Sequence, residues 1–184
     1  ELDKSFIFLN KMINSGLKNL LVAGTCFEYG IADGCLSEDH NTSPNNNYSV
    51  AKDTLRKKIF NLTKKNDFKF TWMRIFYVYG NDQNKDTIYT QLKKNVEMRQ
   101  FFFNMSEGDQ IRDYLHISEL VEKIKKLSLN NRNNGIVNLC SGVGISMKDL
   151  VNKWIKTNNW NIKVNLGYYE YNKDEPMSFW GNNS

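Results

Sequence analysis

Phe6, Leu9, Ile13 and Leu17 recur every three to four positions, the spacing of one helix face, and predict a helix over Leu2 to Ser15 that Gly16 closes. The period then changes. Leu20-Leu21-Val22-Ala23 is a continuous apolar run of buried-strand type, with Gly24 to Gly30 as the loop at its carboxyl end. Gly34 to Asn47 is polar and turn-rich, and Pro44 interrupts it before a helix from Tyr48 to about Lys65. Phe70 to Tyr79 is aromatic and β-branched enough for a second buried strand, ended by Gly80. A helix over Asp86 to Arg99 and a strand at Phe101-Phe102-Phe103 follow. Glu107-Gly108-Asp109 is a turn before a strand from Ile111 to Ile117, and Ser118 is the expected cap of the next helix. Asn133-Asn134-Gly135 reads as a turn, Ile136 to Leu139 as a strand, Ser146 as the cap of a helix through about Lys156, and Lys163 to Leu166 as a last strand. Alternating strands and helices with buried strands predict an α/β fold with a mainly parallel sheet.

Composition narrows this picture without redirecting it. The 184 residues are 40% hydrophobic and 13% aromatic, enough for a real core rather than disorder. The net charge of +5 is scattered in short groups such as Lys64-Lys65 and Lys93-Lys94, which suits phosphate-bearing ligands and gives no motif for nucleic acid. Cys26, Cys35 and Cys140 are unevenly spaced, so no disulfide framework is expected. With His40 and His116 the only histidines, no zinc-ligand spacing occurs, and no metal is expected. No apolar run approaches the ~20 residues of a membrane span, and no secretory leader opens the chain. The expectation is a cytoplasmic protein that binds neither membrane nor nucleic acid.

The candidate chemistry sits at the first strand's end. Tyr48 and Lys52, four apart, share one face of a helix, with Thr25 in the loop Gly24-Thr25-Cys26-Phe27-Glu28-Tyr29-Gly30 upstream. An unperturbed Tyr titrates near pH ~10. An ammonium about 4 Å away, at an effective dielectric near 20, is worth ~4 kcal/mol, enough to bring a phenol close to neutrality. A threonine hydroxyl could share the substrate oxygen that the phenol protonates. By itself the Tyr-x-x-x-Lys pair more often marks an amphipathic surface helix.

Further motifs follow in order. Pro44-x-x-x-Tyr48-x-x-x-Lys52 precedes Met73-Arg74-Ile75-Phe76-Tyr77-Val78-Tyr79-Gly80. Gly108-Asp109-Gln110-Ile111-Arg112-Asp113-Tyr114-Leu115-His116 and Asn138-Leu139-Cys140-Ser141-Gly142 complete the set. Together with the Thr25 loop, they resemble the extended short-chain dehydrogenases of the NAD-dependent epimerase/dehydratase type, which act on nucleotide sugars. The resemblance implies Thr25, Tyr48 and Lys52 as catalytic residues; Tyr48, Lys52 and Phe76 against an NAD or NADP cofactor; and Thr25, Tyr77 and Arg112 against a nucleoside-diphosphate sugar. A guanidinium fork such as that of Arg112 suits diphosphate oxygens; its alternative is an ion pair with Asp113 or Glu107. Tyr77 stands where many relatives carry a substrate-binding Asn. No role is assigned to His116.

The departures choose the reaction. Dehydratases of this family carry Asp-Glu after the catalytic Thr, and here Cys26 and Phe27 stand there, so dehydration is disfavoured. Hydride transfer at a sugar carbon remains. A 4-keto reductase of a deoxysugar in surface polysaccharide biosynthesis is the first expectation; a 4-epimerase and a non-catalytic sugar-nucleotide-binding module are the alternatives.

Nothing before Leu20 forms the Gly-x-x-Gly-x-x-Gly strand–turn–helix of such enzymes, and Gly142-Val143-Gly144 has Met147 at the third glycine position. The resemblance therefore implies an incomplete Rossmann-like doubly wound sheet lacking its first strands, with a small C-terminal α/β substrate lobe. Residues 1–84 would form the back half of the catalytic domain and 85–184 mainly the lobe, with about 111–140 returning to the large domain. The strand at Leu20 should expose an apolar edge, and the chain alone should be inactive or nearly so. Relatives pair through a four-helix bundle, which would place Leu2 to Ser15 and Tyr48 to Lys65 at a homodimer interface.

Overall fold

The computed structural model describes residues 2–81, 83–130, 134–172 and 175–183. Helix α1 spans Leu2–Asn14 and strand β1 Asn19–Thr25, followed by a single 3-10 turn at Cys26–Tyr29 and strand β2 at Gly34–Leu36. Helix α2 is Asn47–Thr63, β3 Lys69–Ile75, β4 Tyr77–Tyr79, α3 Ile88–Glu97 and β5 Phe102–Asn104. Then come β6 at Ile111–Arg112, β7 at Tyr114–His116, α4 at Ile117–Leu129 and β8 at Gly135–Leu139. The last elements are β9 at Ile145–Ser146, α5 at Met147–Thr157, β10 at Lys163–Asn165 and β11 at Phe179–Gly181.

Strands β1, β3 and β8 form a parallel sheet in that order, with Ala23 opposite Met73 and Met73 opposite Val137. Two-stranded parallel pairs join β10 to β5, β11 to β2 and β4 to β7, and β6 with β9 is antiparallel. Strand β3 is central, and Phe70, Thr71, Trp72, Met73 and Arg74 along it are all buried. One face of this sheet packs on α1 and α2 through Ile13, Leu55, Ile59, Phe70 and Trp72, side chains worth roughly 1.5–3 kcal/mol each when fully buried. On α4 the contact is through Met73, Leu115, Leu120 and Leu139. A separate core gathers Leu92, Phe103, Met147, Val151, Trp154 and Ile162 from α3, β5, α5 and the residue just before β10. Strand β1 lies at the sheet's edge among the described residues, and its Leu21 and Val22 remain partly exposed, as the resemblance implied.

Three local expectations change. The single strand from Phe70 to Tyr79 is two strands in two sheets. At Phe76 the backbone N–H donates to the Leu139 carbonyl, the last residue of β8, and beyond it the chain pairs with β7 instead. The Ile111 to Ile117 strand divides likewise, at Asp113. Helix α4 begins at Ile117 with His116 as its cap, because the extended backbone of His116 lets its ring Nδ1 accept the Ser118 N–H at 3.3 Å. Strands β2 and β11 were missed. Each is three residues long, and they pair across the chain, Gly34 opposite Phe179. Part of the turn expected at Asn133-Asn134-Gly135 lies outside the described residues. No helix among the described residues is long and apolar enough to cross a membrane.

Candidate active site

Thr25 ends β1 in extended conformation and caps the 3-10 turn: its Oγ1 accepts the Phe27 N–H at 3.3 Å, and the Glu28 carboxylate returns to the Thr25 N–H at 3.0 Å. The turn is a Thr-x-x-Glu capping box. Glu28 is fully buried and also takes Trp72 Nε1 at 2.8 Å, Arg74 Nε at 3.2 Å and an ion pair with Arg56 Nε at 3.4 Å. Arg74 lies over the Tyr29 ring at 4.4 Å, and the Tyr29 hydroxyl sits 2.8 Å from Asn138 Oδ1. Gly24 makes this possible. A Cβ there would stand 2.1 Å from Trp72 Nε1 and 2.6 Å from Glu28 Oε1.

Helix α2 begins at Asn47, capped by Asn46, whose side chain accepts the Ser49 N–H at 2.9 Å. That cap aims Tyr48 at the Thr25 turn. The phenol is about half exposed and close enough to Thr25 to feel its hydroxyl. Lys52, one turn on, does not act as expected. Its Nζ donates to the Ala23 carbonyl at 2.9 Å and stands 5.8 Å from the centre of the Tyr48 ring. Burial, then the Cys26 thiol and the Glu28 charge, push the Tyr48 phenol above its ordinary value, while the Thr25 hydroxyl pulls the other way. The ammonium thus stays with a backbone oxygen, and the phenol is held in its protonated form. Burial raises the Cys26 thiol to about 12, so it too stays protonated at neutral pH.

A second region opens beside this turn. A cavity of about 480 Å³ is lined by Phe27, Tyr77, Gln83, Tyr89, Asn104, Arg112, Tyr114 and Glu175, among others. Phe27 is the hinge between the regions. Its N–H bonds Thr25, and its ring meets Tyr77 edge-on at 5.7 Å on the cavity wall. Tyr77 stacks on Tyr114 at 5.1 Å, and burial pushes both phenols up, Tyr114 to about 12. Arg112 is buried, with its guanidinium 5.9 Å from the Tyr77 ring and 5.2 Å from that of Phe179. Neither anticipated ion pair forms: Arg112 meets Glu175 at 3.4 Å and the Ile111 carbonyl at 2.9 Å. Asp113 instead accepts the Ser141 N–H at 2.7 Å and the Gly142 N–H at 2.9 Å.

The structure therefore brings Thr25, Tyr48 and Lys52 together at the end of β1, and Tyr77 with Arg112 on the cavity. Phe76 joins neither group by its side chain, which is buried among Tyr29, Cys140 and Phe179. For a dinucleotide, the residues present fit one end. The half-exposed Tyr48 phenol and the Lys52 ammonium can take a ribose and its base. The Ser141 to Gly144 loop cannot take a pyrophosphate: Asp113 already holds the Ser141 and Gly142 amides and sets a negative charge there. Sequence reasoning missed Glu28, Arg56 and Glu175. For Glu28 a signal was present, the spacing Thr25-Cys26-Phe27-Glu28.

A family model described as NAD dependent epimerase/dehydratase matches residues 7–140. A dTDP-6-deoxy-L-talose 4-dehydrogenase (NAD(+)) from Aggregatibacter actinomycetemcomitans is 29% identical over 179 residues, 97% of this chain and 66% of the relative. UDP-arabinose 4-epimerase 1 from Arabidopsis thaliana is 25% identical, matching 87% of this chain and 44% of its own length. The UDP-glucuronic acid 4-epimerase from Bacillus cereus, solved with UDP-glucuronic acid and NAD, superposes with a TM-score of 0.83 at 20% identity, covering 96% of this chain and 56% of that one. The chain thus spans two thirds or less of the length of these relatives, and the superposition places its α/β fold among Rossmann-like sheets.

Proposed function

The chain belongs to the NAD-dependent epimerase/dehydratase family, and on that footing we propose that it serves 4-keto reduction of a nucleoside-diphosphate deoxysugar. The observation that carries this reading is the meeting of Thr25 and Tyr48 at the end of β1, joined by Phe27 to a cavity holding Arg112. Arg112 is the one cation among the described residues lining that cavity, and its fork would grip the diphosphate as Glu175 gives way. The sugar would then lie along Phe27 and Tyr77, its carbonyl toward Thr25. Thr25 would hold the carbonyl oxygen, and the protonated Tyr48 would release its proton to that oxygen as the alkoxide forms. Lys52 and Tyr48 would hold the nicotinamide ribose. A bound nicotinamide dinucleotide supplies the hydride. NAD is preferred to NADP because the dehydrogenase relative is named for NAD(+). Cys26 and Phe27 offer neither acid nor base for removing water.

The same reading divides the chain into residues 1–84 with about 111–140 on the catalytic side and the rest in a substrate lobe, supported by the separate core of α3, β5 and α5. A homodimer through α1 and α2 is supported by the exposed Ile7, Phe8 and Met12 on α1. A cytoplasmic role in polysaccharide biosynthesis is part of this proposal.

The test is turnover of a 4-keto-6-deoxy nucleotide sugar with NADH, in the chain alone and joined to the N-terminal portion of a relative. Reduced sugar with stoichiometric NADH loss is the expected product. Interconversion of 4-epimers without net NADH use would replace the reading with the epimerase one. Stabilisation by sugar nucleotide with no turnover in either form would leave a binding module.

A further inference from the structure

Three successive turns of α2 each face the β1 end. Lys52 donates to the Ala23 carbonyl and Arg56 pairs with Glu28, while Tyr48 lies within reach of the Thr25 hydroxyl. The three residues are four apart and so share one helix face. The lowest tie differs in kind from the others, because Glu28 is wholly buried and draws a donor from every element around the site. The 3-10 turn gives it the Thr25 N–H, β3 gives Trp72 Nε1 and Arg74 Nε from one strand face, and α2 gives Arg56. Arg56 is also anchored to Asp53 one turn behind it, so a movement of the carboxylate reaches the helix backbone. The absent side chain at Gly24 leaves the space this carboxylate occupies.

We propose that Glu28 is a positioning residue for the Thr25–Tyr48 pair, fixing the Thr25 turn against α2 through Arg56 and thereby setting how the hydroxyl meets the phenol. This rests on the proton-transfer role given to Tyr48. The carboxylate does two things. Its hydrogen bond to the Thr25 amide orients the hydroxyl, and its charge, after burial and the Cys26 thiol, favours the protonated phenol. That is the form required to give a proton to a developing alkoxide.

The test is a titration, independent of turnover, on the 184-residue chain carrying a fluorotyrosine at position 48 and read by fluorine NMR. Thr25→Val removes the hydroxyl that lowers the phenol's pKa and is expected to raise it further. Glu28→Gln is expected to lower that pKa and to shrink the Thr25→Val effect by roughly half or more, a non-additivity that marks coupled residues. Arg56→Gln leaves Glu28 its Trp72 and Arg74 partners, and it guards against a Glu28 variant that does not fold. It should shrink the Thr25→Val effect similarly, with unchanged circular dichroism. An undiminished Thr25→Val shift in folded Arg56→Gln, or in folded Glu28→Gln, overturns the proposal. Nucleoside-diphosphate binding at Arg112, followed by calorimetry, separates this from failure of the reductase reading: loss of that binding with the coupling intact removes only the latter.

Discussion

The Thr25 end of the site and the Arg112 cavity solve opposite problems. At the first, Glu28 faces Arg74, Arg56, Trp72 and the Thr25 amide, so its charge is spent inside the protein and ties up both guanidiniums. At the second, one buried guanidinium faces a roomy aromatic space and is met by Glu175, whose side chain is about half exposed. The difference teaches where rigidity and where affinity reside. A carboxylate held from several elements cannot be displaced cheaply, whereas a single ion pair to a solvent-facing acid can yield to a better anion.

The largest expected effect comes from cutting the reaction without touching the scaffold. Tyr48→Phe should lower turnover by roughly 10²–10⁴-fold, the usual worth of positioned proton transfer, in steady-state assays with a 4-keto sugar nucleotide. Because the ring is half exposed, the variant's thermal midpoint and its nucleoside-diphosphate binding at Arg112 should not change. Equal losses of binding and turnover would merge the two regions into one. Arg112→Leu should do the reverse, weakening nucleoside-diphosphate binding by ~100-fold in calorimetry, in line with the ~2–5 kcal/mol seen when one partner of a buried charge pair is removed. Arg112→Lys should recover little of this, since an ammonium cannot reproduce the fork. Binding that survives Arg112→Leu would show that the cavity does not hold the diphosphate.

Most of the scaffold was legible because it is written in local periodicity. The apolar stripe of α1 and the buried runs of β1 and β3 carry their own signals, and the Tyr48–Lys52 face follows from helix geometry alone. What was not legible depends on partners far along the chain. Nothing near Phe76 announces that β8 ends at Leu139 and forces a change of partner, and nothing in Gly34–Leu36 points to Phe179–Gly181. The position of the Lys52 ammonium was not legible for a related reason. Sequence spacing put it beside Tyr48, but a backbone carbonyl on another element competes for its ammonium, and that competitor is visible only once β1 is placed. Likewise Arg112 was matched with its nearest acids, while the chain's return brings Glu175 to it.

A smaller effect tests the rigid side alone. Gly24→Ala forces a methyl against Trp72 and Glu28, and overpacking of this sort costs ~1–3 kcal/mol in denaturant unfolding. Nucleotide affinity at Arg112 should be untouched. A variant as stable as the parent would mean that the Glu28 network has slack.

The mildest probe is acid. Burial works to raise the Asp53 carboxyl on α2, but hydrogen bonds from Lys57 and Arg56 outweigh it, and its folded value lies below the ordinary one. A depressed carboxylate contributes stability that is complete above its unfolded value, near pH ~4, and fades as pH falls through the folded value. Stability measured by urea unfolding should therefore decline below about pH 4, and Asp53→Asn should flatten that decline while lowering stability at neutral pH. The Lys57 contact is largely exposed, so the share that matters is the one to Arg56, which also faces Glu28. If Asp53→Asn leaves the acid limb unchanged, the Asp53–Arg56 pair adds no stability, and the tie between the 3-10 turn and α2 is the single Glu28–Arg56 contact rather than a chain of two.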